Sequence, residues 1–91
     1  MEGKELLMTT NEFDVLDELY FVTSYQDLLK SVELSSADLL ITLEQLHSRG
    51  WIKVLNAVDE EIPDRSLLWE RNHTSYLFLA TKSGLLKHNS I

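Results

Sequence analysis

The chain has no cysteine, one proline, three glycines and only eight cations against 15 carboxylates in 91 residues. Lack of cysteine excludes a disulfide framework and thiolate metal sites. It fits a reducing interior and makes the cytoplasm the expected location. Gly3, Gly50 and Gly84 stand too far apart to form a phosphate-cradling or dinucleotide-binding loop. No apolar run approaches the length needed to span a bilayer, and the opening MEGKELLM carries acids where a signal peptide has a basic region. A soluble protein with no membrane partner is therefore expected.

Other chemistries find little support. His47, His73 and His88 are dispersed and lack the paired spacing of a zinc site, so no metal or other cofactor is expected. Carboxylates are plentiful, but no glycine-rich pocket loop or nucleophile triad accompanies them, and enzyme activity is not expected.

The composition itself is that of a folding chain. Hydrophobic residues make up 44% and charged residues 25%, enough apolar content for one small core and no room for a second domain. The formal charge of -7 is unevenly spread. Before Thr23, Lys4 stands alone against Glu2, Glu5, Glu12, Asp14, Asp17 and Glu18, a local charge of -5, which leaves -2 for the rest. The middle of the chain is thus close to neutral.

Three helix starts share one pattern, in which a small hydroxyl residue caps orphan amides and apolar neighbours close over it. Thr9 and Glu12 form a capping box, with Met8 and Phe13 as staple, and a first helix is predicted to about Val22 with Phe13, Leu16, Leu19 and Tyr20 on its buried stripe. Thr23 or Ser24 caps a second helix that contributes Leu28, Leu29 and Val32. After the turn at Glu33-Leu34, Ser35 caps a third helix with Leu39, Leu43 and Leu46 on one face, His47 at its border and Gly50 as its stop. WIKVLNAV from Trp51 to Val58 and SYLFLAT from Ser75 to Thr81 read as two antiparallel strands, and Thr81 caps a short closing helix from about Gly84.

This order resembles the winged-helix superfamily, with the MarR and PadR groups of regulators as the relatives suggested. The residues that carry the resemblance are Leu28 in SYQDLLKSV, Ser35, the run LEQLHSRGWI from Leu43 to Ile52, and YLFLATKSGLL from Tyr76 to Leu86. The resemblance implies an α+β, mainly helical fold: a three-helix core with a helix-turn-helix at about 24–49, a two-stranded β wing at about 51–81 and a short C-terminal helix. The domain would span 9–91, with 1–8 as an N-terminal segment whose order the sequence leaves open.

The same resemblance implies sequence-specific binding of double-stranded DNA by a homodimer acting as a transcriptional regulator, with the third helix in the major groove. Carried over by position, Ser36, Asp38, Ile41, Thr42 and Gln45 face the groove, Arg49 lies near phosphate, and Lys53, Arg65 and Arg71 sit on or near the wing. Gln45 would read adenine and Thr42 would touch a thymine methyl. Family members commonly place cations on this face, and here it has none before Arg49.

The alternative is an acidic winged-helix module that binds a protein partner and not DNA. Its contact residues would be Ile41, opposite the buried stripe of the third helix, and Leu67, Leu68 and Trp69 in the connection between the strands. The plainer reading of Ile62, Leu67, Leu68 and Trp69 is that this segment folds back over the small core.

Overall fold

The computed structural model describes residues 7–57 and 60–90. Residues 1–6 of the expected N-terminal segment and Val58 of the expected first strand lie outside the described residues. Leu7 is exposed, while Met8 already packs against the core.

Helix α1, Thr10–Asp17, opens on the predicted capping box: the Glu12 amide donates to Thr9 Oγ1 at 3.0 Å and the Thr9 amide donates to Glu12 Oε1 at 2.8 Å. It ends earlier than the apolar spacing predicts. Glu18 N–H turns back to Val15 O and Leu19 N–H to Leu16 O, and Leu19 O then accepts from the Ala80 amide at 2.9 Å. That long-range bond takes the carbonyl a continued helix would need, Tyr20 leaves the stripe, and Thr23–Ser24 form a short strand, β1.

Ser24 caps helix α2, Tyr25–Ser31, and after the turn 32–35 Ser35 caps helix α3, Ser36–Ser48, each hydroxyl accepting an amide three residues on. Gly50 closes α3 at φ +77°, where a side chain would be strained. Strand β2, Ile52–Ala57, follows, then β3, Glu60–Glu61, helix α4, Trp69–Asn72, strand β4, Leu77–Ala80, and helix α5, Lys82–Asn89. The described chain is therefore α+β, with five α-helices and one four-stranded antiparallel sheet of order β1-β4-β2-β3.

Register divides the sheet into two faces. Ile52 pairs with Ala80 and Val54 with Phe78, and all four are buried on the core face with Leu16, Leu19, Leu28, Leu39, Leu43 and Leu46. Lys53 pairs with Leu79 on the other face, and both are half-buried. The connection from β2 to β4 is more structured than an extended loop. Ile62 N–H bonds to Val54 O, Pro63 leads a 3₁₀ turn at Asp64–Ser66, and a second one runs through His73–Ser75.

The C-terminal helix is seated by its first turn. Thr81 Oγ1 caps the Gly84 amide and donates to Gly50 O at 2.7 Å, while the Thr81 amide donates to Trp51 O at 2.9 Å. Gly84 is there because nothing larger fits: a Cβ would stand 2.1 Å from Trp51 O and 2.9 Å from Trp51 C, both backbone atoms that cannot rotate away. Alanine improves an isolated helix by about 1 kcal/mol over glycine. Overpacking against backbone costs more, so Gly84→Ala is expected to lower stability by about 2 kcal/mol, measured as a fall in the urea midpoint at unchanged m-value.

Candidate functional site

The outward face of α3 is the surface to which the resemblance assigns binding. Leu39, Leu43 and Leu46 point into the core, which leaves Ala37, Ile41, Gln45 and Ser48 in a stripe on the opposite side, with Ser36 and Asp38 at its start. Ile41 is 52% exposed, as its place on the helical wheel predicts. Gln45 is exposed as well. Ser36 is exposed but its hydroxyl lies 2.6 Å from the Tyr25 hydroxyl, which also donates to Ser36 O, so this serine joins α2 to α3.

Two of the expected DNA contacts are placed elsewhere. Thr42 is 3% exposed and its hydroxyl donates to Asp38 O at 2.8 Å, so its methyl has no route to a base. Arg49 turns across the molecule: its Nε donates to Glu12 Oε2 at 2.8 Å and its guanidinium lies 4.9 Å from the Trp51 ring centroid. Glu12 is fully buried, with one oxygen on the Thr9 amide and the other on Arg49. The cation expected near phosphate is thus the partner of a buried carboxylate. The stripe of α3 contains no lysine or arginine.

The remaining candidates do not gather on α3. Lys53 sits on the sheet face turned away from the Phe78 side, and Arg71 is exposed on α4. Arg65 is exposed in the 3₁₀ turn, next to Asp64, whose Oδ1 lies 3.2 Å from His47 Nε2. That contact brings the Arg65 turn to the C-terminal half of α3.

The apolar connection folds inward. Ile62, Leu67 and Trp69 pack on the core, and Trp69 stacks on Phe78 at 6.3 Å while presenting edges to His47 and Tyr76. The Leu68 amide donates to the Tyr76 hydroxyl at 2.9 Å, which holds the segment down. Only Leu68, 48% exposed, stays outward. Trp69 and Leu67, expected as partner contacts, are spent within the fold because a small core leaves aromatic surface on Phe78 and Tyr76 to be covered.

Sequence reasoning missed a cleft of about 280 Å³ lined by Asp14, Asp17, Glu18, Ser31, Val32 and Glu33. The acidic side of α1 was legible, but the approach of Glu33 from the turn after α2 was not. The histidines are separately engaged: His73 Nδ1 is 2.7 Å from Trp69 O, and His88 stacks on Phe13. Among the described residues no group of three or more histidines and carboxylates is placed to hold a metal ion, and no helix is long and apolar enough to cross a membrane.

Neither a protein-family model, nor a curated protein, nor a solved structure matches this chain.

Two substitutions test these placements. Glu12→Ala removes the buried carboxylate to which Arg49 Nε donates and opens the cap, and is expected to cost about 3 kcal/mol. Glu12→Gln keeps an oxygen for the Thr9 amide and should fall between it and the parent in urea unfolding. Trp69→Ala is expected to cost about 2 kcal/mol in the same assay, marking it as a packing residue.

Proposed function

We propose that the chain is a winged-helix domain that serves as a protein-interaction module and does not read DNA. The fold part of this reading is supported by the order α1, β1, α2, α3, β2, β4, with α2 and α3 joined by a short turn and β2 followed by a hairpin. In these terms α2–α3 is the helix-turn-helix and the segment from β2 to β4 is the wing. Fold alone does not choose the function.

One observation carries the choice: α3 presents an uncharged stripe of Ala37, Ile41, Gln45 and Ser48, and Arg49 at its end is engaged by the buried Glu12. Phosphate contacts supply most of the affinity of DNA-binding domains, each worth close to one unit in the slope of log K against log salt. A chain with a charge of -7 and no cation on that stripe lacks that contribution from α3. Ile41 and Gln45 suit a protein surface, with Leu68 as a further apolar contact. A homodimer in the cytoplasm is part of the proposal, since a domain this small gains buried area by pairing.

A second reading, a duplex-binding regulator, is favoured by a specific observation: Gln45, Arg65 and Arg71 are all exposed, and Arg65 lies on the turn held against α3. Ser36 and Lys53 would contribute to it. Fluorescence anisotropy of a labelled mixed-sequence duplex, at low and at physiological salt, separates the two, with sedimentation velocity on the same sample for the dimer. The expected titration is flat at physiological salt. Saturable binding that weakens steeply with salt and is reduced by Arg65→Ala or Arg71→Ala would establish the second reading instead.

A further inference from the structure

The outward face of α3 has an order of its own. Asp38 and Gln45 are seven residues apart, close to two full turns, so they stand one above the other on the same border of the Ala37, Ile41 and Ser48 stripe. Ile41 lies between them. Both polar side chains are exposed, and the backbone of Asp38 is held on both sides: its amide donates to Ser35 Oγ at 3.1 Å and its carbonyl accepts from Thr42 Oγ1 at 2.8 Å. A carboxylate acceptor at one end of the face and a carboxamide donor at the other form a pattern that matches itself when turned end to end.

A second observation limits where a copy of the same chain can approach. Each chain carries -7, and exposed acids gather at Asp14, Asp17, Glu18 and Glu33 on one side and at Glu60, Glu61 and Asp64 on β3 and the turn after it. Two copies meeting on either of those faces would set like charges together. The α3 stripe carries no charge, and the acid on its other border, Glu44, is half-buried.

We propose that the stripe pairs with the same stripe of a second copy, the two α3 helices running antiparallel about a two-fold axis. This inference rests on the protein-interaction reading and names the partner of that site. With the axis between the positions of Ile41 and Thr42, residues 38 and 45 are equidistant from it, so Asp38 of each copy lies opposite Gln45 of the other. The carboxamide N–H donates to the carboxylate, twice by symmetry. The two Ile41 side chains, each 52% exposed in the single chain, meet at the axis and exclude water there. Ala37 and Ser48, whose hydroxyl is turned onto Gln45 O at 2.8 Å, keep the helix surface low at both ends and permit close approach.

Sedimentation velocity of the full chain over a concentration series, with ¹⁵N shifts followed on dilution, tests the pairing. The patch is small, so a dimer with a Kd on the order of 100 µM is expected, with the shifts confined to α3. Ile41→Asp, at a site exposed in the single chain, should leave the far-UV circular dichroism unchanged and weaken the dimer about tenfold. The sign of the charge at position 45 is the sharper check. Gln45→Lys faces Asp38 of the second copy and should tighten the dimer about threefold, and Gln45→Glu should weaken it by as much. Glu60→Gln, the same change in net charge at the sheet edge, should alter it less than about 1.5-fold, and Asp38→Asn should abolish the gain from Gln45→Lys. A dimer indifferent to Ile41→Asp, or one that Gln45→Lys and Glu60→Gln tighten equally, would overturn the proposal. A chain that stays monomeric throughout the series overturns it as well and leaves the protein-interaction reading in place, since the duplex titration decides that reading separately.

Discussion

The pair between Glu12 and Arg49 joins the start of α1 to the end of α3, and the rest of the domain is arranged around it. Glu12 is removed from solvent and its two oxygens meet a backbone amide and a guanidinium, so its charge is matched in place. A buried carboxylate left without those partners would cost several kcal/mol, which is why helix, cap and arginine must form together. Arg49 in turn covers Trp51, the first residue after the Gly50 turn and the one whose carbonyl receives the Thr81 amide. A single side chain therefore connects the N-terminal cap, the α3 terminus and the junction where α5 is seated.

That connection bears on function through what it removes. An arginine at the end of a groove-facing helix is a phosphate contact only if its guanidinium is presented outward, and here it serves a carboxylate from α1. The same logic applies to Thr42, whose hydroxyl and methyl are absorbed by the helix and core, and to Trp69, which covers Phe78. In each case a side chain with binding chemistry is used to complete a core that is small for its surface. What is left outward on α3 is a stripe without cations that carries Ile41 and Gln45, which is why protein contact is the reading advanced for this domain.

Much of the local structure was legible. The capping residues Thr9, Ser24, Ser35 and Thr81, the Gly50 stop, the buried leucines of α3 and the pairing of the two main strands all follow from spacings of a few residues. The candidate site was legible in part: Ile41 and Gln45 face outward as the helical wheel places them, and the acidic side of α1 is where the charge count puts it. The end of α1 was not, because Leu19 leaves the helix to bond with Ala80, a partner 61 residues away in a strand whose position the apolar pattern does not encode.

Sequence by itself therefore determined the elements, their caps and the faces they bury, since those depend on contacts between residues three or four apart or alternating along a strand. Only the tertiary structure decided which polar side chains remain available. Glu12 and Arg49 are 37 residues apart, Tyr20 and His88 are 68 apart, and Gly84 lies under a carbonyl of Trp51. Each of these residues has a satisfactory local reading as a cap, a surface cation, a stripe aromatic or a helix glycine. Their second partners exist only once the chain has closed, because side-chain reach is set by distance in space and leaves no periodic trace along the sequence.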